Sequence, residues 1–265
     1  MIKALIQGVL SVALFLLMWT GLSRIDWVSF FSISEVSDKT EEKLGELFWD
    51  LFKSSEMEFK QPFVVNSVDT LVSKICKANH IDRNSIKVHL LEKDDVNAFA
   101  LPDGHLVIFT GLISEAANQE EFCGVIGHEL AHIQEKHVMQ KLVNEVGISV
   151  LIAMINSGRG SETITQAAKV LSSTAFDRKL EKEADIKAVD YLSTANINPQ
   201  PFADFLFKLS EKNSEAEQYW TWLSTHPDSK ERSEYIVEYC KMKKGPYATP
   251  LNDSTWTKVK GEIDE

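Results

Sequence analysis

Gly127-His128-Glu129-Leu130-Ala131-His132 lies inside a long helical pattern. Two histidines four residues apart fall on one helix face, one turn from each other, so both imidazoles can reach a single ion. A glutamate directly after the first histidine is the arrangement with which zinc hydrolases deprotonate the attacking water. Catalytic zinc takes three protein ligands and keeps one position open. His128 and His132 are therefore candidate ligands of one Zn2+ per chain, Glu129 is the candidate general base, and a third ligand has to come from elsewhere. The placement on a helix argues against two merely solvated surface histidines.

Outward from this motif, Asn118 can cap the helix, with Glu120 and Glu121 in a first turn where the helix dipole favours acid. Phe122, Ile126, Leu130 and Ile133 make its core-facing stripe, and helical pattern runs over 111–143. Upstream the period changes. Residues 86–92 (IKVHLLE), 97–101 (NAFAL) and 105–110 (HLVIFT) read as three short strands, with Asp94-Asp95 and Pro102-Asp103-Gly104 as turns, which predicts a small antiparallel β-meander. Helical periodicity appears earlier at 41–60 and 66–80. Downstream, 147–156 is apolar but too short to span a bilayer, so it is a buried helix, or else a membrane-touching or lid helix. Residues 157–161 form a flexible break. A helical stretch follows to Ala195, with a candidate interruption at Ser172-Ser173-Thr174. Pro199 and Pro201 open a shorter helix through Lys212, and Asp228 or Ser229 starts the last, ending near Lys243. The tail beyond Pro246 reads as mostly irregular. The fold class is α+β, predominantly helical.

Residues 4–22 (ALIQGVLSVALFLLMWTGL) carry no charged side chain and are long enough to cross a bilayer as a helix. An uncleaved N-terminal anchor fits better than a cleaved signal, because the apolar run is long and no small-x-small site follows it. A helix apolar all round is rare inside a domain of this size. Lys3 and Arg24 flank the run almost evenly, and we read an inside amino terminus, which puts the following domain on the non-cytoplasmic (periplasmic) side. The expected organisation is an anchor or signal-like segment over 1–25, a juxtamembrane linker and amphipathic helix over 26–65, a catalytic domain over 66–245 and a tail over 246–265. The net charge of -11 argues against nucleic acid as a partner. Cys76, Cys123 and Cys240 suit no cysteine-based zinc site. A Cys76–Cys240 bridge or buried thiols remain as alternatives, with buried thiols the better fit.

For the third ligand, one class of zinc peptidase continues from the second histidine with x-x-Gly-x-x-His. Glu135 and Val138 stand at those positions, which excludes it. His137 lies half a circle from His128 on the Phe122/Ile126 face and reads as structural. Another class takes a glutamate from a later helix. Glu181 and Asp185 are four apart on one face. One carboxylate can bind zinc while the other accepts a ring N–H from a ligand histidine. Spacing alone fits an ordinary charged helix face equally well.

Glu181-x-x-Ala184-Asp185, with Arg178 three residues before it and Gly-His-Glu-Leu-Ala-His upstream, resembles the HtpX-like and CaaX-prenyl-protease group of zinc metallopeptidases (gluzincins). Asn97-Ala98-Phe99-Ala100-Leu101-Pro102-Asp103-Gly104, Thr110-Gly111-Leu112, Asn198-Pro199 and Ser224-Thr225-His226-Pro227 with Arg232 five residues later resemble further motifs of that family in order. The likeness covers roughly 66–245 and is nearest to the BepA-like periplasmic and OMA-like branches. Asp177 and Asp103 depart from the family's usual serine and glycine.

The resemblance implies a zincin-type domain, Glu181 as third ligand and Asp185 as its partner in the next layer. It implies that His226 stabilises the transition state or latches the metal, against the plain alternative of a loop histidine. Arg232 then orients Glu129 or a neighbouring carboxylate, or makes a structural salt bridge. Asn97, Ala98, Phe99 and Ala100 would form an edge on which an extended substrate pairs through its main chain. The expected function is a zinc metalloendopeptidase that acts on unfolded or misassembled proteins in quality control near a membrane. The rival is a zinc-bearing chaperone or assembly factor with latent peptidase activity.

Overall fold

Four short strands carry the centre of the fold. In the computed structural model, which describes residues 37–157, 162–173, 175–211 and 220–264 together with Phe15, β1 (Met57–Glu58), β2 (Lys87–Glu92), β3 (Ala98–Ala100) and β4 (His105–Phe109) form one sheet in the order β1-β2-β4-β3. β2 and β4 are parallel, β1 is antiparallel to β2, and β3 is antiparallel to β4. The three expected strands are present, but they are not a meander, because β4 lies between β2 and β3.

The two connections explain the difference. Pro102-Asp103-Gly104 is a genuine hairpin turn: Asp103 and Gly104 take φ of 60° and 71°, and Leu101 N–H donates to the His105 carbonyl at 2.8 Å. Left-handed φ costs glycine least, and aspartate tolerates it better than most residues. Asp94-Asp95 reverses the chain, since β3 runs opposite to β2, but it does not pair the two strands as a hairpin. It crosses the end of β4, where Gly111 N–H donates to the Lys93 carbonyl at 2.8 Å, and a Cβ on Gly111 would stand 2.1 Å from the Asp94 carbonyl oxygen. That crossing carries the chain to the far side of β4 and leaves β3 as the sheet edge.

Helices cover both sheet faces. The helices are α1 (Asp38–Ser55), α2 (Pro62–Ala78), α3 (Thr110–Glu115), α4 (Gln119–Gln134), α5 (His137–Glu145), α6 (Ile148–Ser157), α7 (Glu162–Ser173), α8 (Arg178–Thr194), α9 (Gln200–Glu211), α10 (Trp220–Thr225), α11 (Ser229–Cys240) and α12 (Asp253–Asp264). Strand side chains alternate between faces. Leu106 and Ile108 of β4 join a core built with α2, α4, α8 and α9, whereas Val107 and Phe109 join a second core with α1, α5, α6 and α7. Cys76, Cys123 and Cys240 are free and buried, so the bridge considered from sequence is not made.

The tail is a correction. α12 docks through buried Trp256 and Val259, and Gln119 ties it down by accepting from Leu251 N–H at 2.6 Å. Trp256, Val259 and Ile263 recur at helical spacing, a signal diluted by the charged residues between them. The anchor expected at 4–22 (apart from Phe15), residues 23–36 and residues 158–161 lie outside the described residues. Among the described residues no single helix is long and apolar enough to cross a membrane.

Two glycines in helices should respond oppositely to alanine. A Cβ on Gly124 would stand 2.4 Å from Phe202 Cβ, where α4 meets α9, whereas Gly261 in α12 has nothing within 4 Å. Gly124→Ala is expected to destabilise by about 1–3 kcal/mol through overpacking. Gly261→Ala is expected to stabilise by up to about 1 kcal/mol through helix propensity. Chemical denaturation of both variants checks the signs.

Candidate metal centre

Three segments converge behind the sheet edge. α4 is capped by Asn118, whose side chain accepts from Glu121 N–H at 2.8 Å, and it carries His128, Glu129 and His132. It is buried nearly all round, so its histidines are interior groups and not a solvated face. α8 packs on it with fully buried Ala184 and Ala188 and brings Glu181 and Asp185. The turn after α10 brings His226.

His128 Nε2 and His132 Nε2 are 3.0 Å apart. Glu181 Oε1 is 3.4 Å from His132 Nε2, and Glu181 Oε2 is 3.7 Å from His128 Nε2. His226 Nδ1 lies 2.9 Å from Glu181 Oε1 and 3.3 Å from His128 Nε2. One donor atom from each of the four residues falls within 4.8 Å of the others. Ligands at about 2.0–2.1 Å in a tetrahedron stand roughly 3.3 Å apart, so these separations suit a zinc ion.

The far side of each ring makes the same case. His128 Nδ1 is 2.9 Å from Asp185 Oδ1 and faces a carboxylate that can only accept, so its Nε2 presents a lone pair. His132 Nδ1 is 3.0 Å from His137 Nδ1, and His137 Nε2 lies 3.7 Å from Glu183. With the His137 proton on the side of Glu183, His132 donates from Nδ1 and its Nε2 is also a lone pair. Two lone pairs and a carboxylate then face one another in a buried site, which suits a cation bound between them.

Charge follows this layout. Burial, then the neighbouring His132, pushes His128 down to about 3, and burial lowers His132 and His226 as well, so the imidazoles are neutral and able to ligate. Burial works against ionisation of Asp185, but Arg232 and the His128 hydrogen bond outweigh it and hold the carboxyl at about 2. Arg232, with His226 and His132, likewise keeps Glu181 ionised against the cost of its burial. Arg232 donates from Nε and Nη2 to Asp185 at 2.8 and 2.7 Å, and its Nη1 is 2.7 Å from Glu181. Of the alternatives drawn from sequence, Arg232 therefore clamps the two neighbouring carboxylates and does not bond Glu129. Tyr235 OH also donates to Asp185.

Glu129 accepts from Ala100 N–H at 3.1 Å and lies 3.4 Å from His226 Nε2. Burial, then the charge of Glu181, raises its pKa well above the usual carboxylate value. Residues 97–100 lie beside α4 as expected. Asn97 and Leu101 bond to β4, so by antiparallel alternation Ala98 and Ala100 direct their main-chain groups outward. The site is sealed: His128, His132 and His226 are 0% exposed, Glu129 1% and Glu181 2%.

A family model described as Peptidase family M48 matches residues 62–239. The chain belongs to this family. It is 29% identical over 160 residues to the mitochondrial metalloendopeptidase OMA1 of Arabidopsis thaliana, covering 60% of this chain and 33% of that protein. It is 23% identical over 206 residues to the beta-barrel assembly-enhancing protease of Escherichia coli (strain K12), covering 73% of this chain and 42% of the relative. The chain thus spans less than half the length of these curated relatives.

His137 is a correction to the sequence reading. α4 ends at Gln134, Lys136 turns the chain at φ 55°, and His137 opens α5 beside His132, not on the Phe122/Ile126 face. Only its spacing past the helix end could have shown this. Phe176, stacked on His132 at 4.2 Å, and Trp222, stacked on His226 at 4.7 Å, also gave no sequence signal.

Two substitutions test this layer. His137→Phe removes the partner of His132 Nδ1 and is expected to weaken zinc binding roughly 10–100-fold, read by competition with a chelating dye. Arg232→Ala leaves two buried carboxylates without their cation and is expected to cost about 3–5 kcal/mol in thermal or denaturant unfolding.

Proposed function

We propose that this chain is a zinc-dependent metalloendopeptidase with His128, His132 and Glu181 as metal ligands and Glu129 as general base. The observation that carries this is the closing of four buried donors on one point, with a carboxylate of raised pKa directly beside them. Zinc at such a donor set supplies Lewis acidity to water and to a scissile carbonyl. The chain's own residues do the rest. Glu129 takes a proton from the attacking water and returns it to the leaving amine, a role its raised pKa suits. Asp185 and His137 fix the tautomers of the two ligand histidines, and Arg232 holds both carboxylates in place. Ala98 and the Ala100 carbonyl offer main-chain partners to an extended substrate, which favours loose or unfolded segments over a strict sequence code.

His226 supports a second reading, a latent enzyme or assembly factor. It sits 2.9 Å from Glu181 and 3.4 Å from Glu129 inside a sealed site, where it fills the place a substrate needs. We read it as a latch in the resting chain and as a donor to the transition state once displaced. The run at 4–22 favours a membrane-anchored, periplasm-facing enzyme, and the beta-barrel assembly named in one relative favours misfolded or misassembled proteins as its substrates.

Glu129→Gln is expected to keep zinc and to lose about 10²–10⁴-fold in casein cleavage. Retained activity in that variant would contradict the assignment. His226→Ala is expected to cleave casein faster than wild type. An equal or lower rate at full zinc loading would remove the latch.

A further inference from the structure

Lys87 and His89 of β2 and His105 of β4 form a second polar cluster, on the sheet face that α1 covers, and none of them is a metal donor. Lys87 Nζ stands 3.2 Å from His105 Nε2, and His105 Nδ1 stands 2.9 Å from His89 Nε2. Burial opposes the charge on Lys87, but Asp103 at 2.6 Å and Glu46 at 3.4 Å outweigh it. An ammonium only donates, so His105 Nε2 accepts, the His105 proton sits on Nδ1, and it is donated to His89 Nε2. Every bond in this relay is satisfied with both imidazoles neutral. One more proton has two places in the relay to go. On His105 Nε2 it faces the Lys87 ammonium, and on His89 Nε2 it faces the His105 N–H. Either way a donor meets a donor beside a histidine that is 1% exposed.

Lys87 on β2, Glu46 on α1, Asp103 in the hairpin turn and Glu58 on β1 are the charged groups that face the pair. Burial, then the neighbouring His105, pushes His89 down to about 4, and burial, then Lys87, pushes His105 down to about 4; the three acids do not reverse this. The relay lies directly against α1. Trp49 stacks on His89, centroids 3.6 Å apart and planes 19° from parallel. A Cβ on Gly45 would stand 2.5 Å from the Pro102 carbonyl oxygen, so α1 also touches the turn that joins β3 to β4. Glu41 accepts from Asp103 N–H in that turn at 3.5 Å and from Lys136 Nζ at 3.1 Å. Lys136 turns the chain between α4 and α5. α1 therefore ties the end of the edge strand to the end of the helix that carries His128 and His132.

We propose that α1 is a strap that acid releases: a proton taken up by the His89–His105 pair breaks the relay beneath Trp49, shifts α1 off the sheet, and frees the β3–β4 turn and the Lys136 turn together. With α1 released the imidazoles return toward their ordinary value of 6.5, whereas with α1 in place they titrate at about 4, so the released state binds protons first. The closed strap is fully supported above about pH 6.5 and loses support as the pH falls from there toward about 4. At pH 5 one such histidine favours release roughly tenfold or more. The strap does not depend on the peptidase reading and is tested without a substrate.

The experiment is hydrogen exchange read by mass spectrometry on the zinc-loaded full chain at pH 7 and pH 5, corrected for the intrinsic pH dependence of exchange. Amides of α1 are expected to open roughly tenfold or more often at pH 5, measured against those of α2. A double variant, His89→Phe with His105→Gln, keeps a flat ring against Trp49 and an acceptor for Lys87 but carries no titrating group. Its α1 should open equally at both pH values relative to α2. Loss of zinc in acid acts on both proteins, so the variant separates that effect from the relay. NMR titration of the wild-type imidazoles gives a second reading that needs no substitution, and both His89 and His105 should titrate below about pH 5. An α1 that opens no more than α2 in the wild-type chain, a rise that survives in the folded double variant, or imidazoles that titrate near their ordinary value would each overturn the inference.

Discussion

Two imidazole nitrogens held 3.0 Å apart in a buried site are the constraint on which the rest of the structure turns. Asp185 and His137 hold the outer nitrogens of those rings, so the inner ones face each other as lone pairs beside the Glu181 carboxylate. Such an arrangement is unfavourable by itself and favourable around a divalent cation. Its energetic cost is met by the surroundings: Arg232 neutralises the carboxylates, and the α4–α8 packing fixes both helices so that the donors cannot drift apart.

The sheet contributes position as well as core side chains. The crossing at Gly111 sends the chain past β4 and makes β3 the edge strand. A meander would have placed that strand in the middle of the sheet, with both sides paired. The edge position lets Ala100 N–H reach Glu129, which couples the candidate base to the strand that would hold a substrate. One crossover thus joins fold to chemistry.

Legibility in the sequence followed the range of the interactions. His128, Glu129 and His132 were readable because one helical turn relates them. The Asn118 cap and the strand positions were readable for the same local reason. Glu181 and Asp185 share a face, but nothing local told them from an ordinary charged helix, and only the family's motif singled them out. His137 was misplaced because the helix was carried through a left-handed residue, Lys136, that cancels its phase. Strand order, the docking of α12, and the stacking of Phe176 on His132 depend on contacts between residues far apart in the chain, which periodicity does not encode.

The sealed state of the site unites the two functional readings. In the reading we propose, a donor set buried from solvent has to open to admit substrate, and the His226 turn with Phe176 tethered to it touches the donors directly, as Phe202 and Trp222 also do. On that proposal, latency and catalysis are two positions of one element. Zinc K-edge X-ray absorption on the purified chain and on Glu181→Ala reads the proposed ligand set itself. One zinc per wild-type chain is expected, bound by imidazole nitrogens and a carboxylate oxygen at about 2.0–2.2 Å, with an altered or lost site in the variant. Absence of stoichiometric zinc, or an identical spectrum from both proteins, would contradict that ligand set.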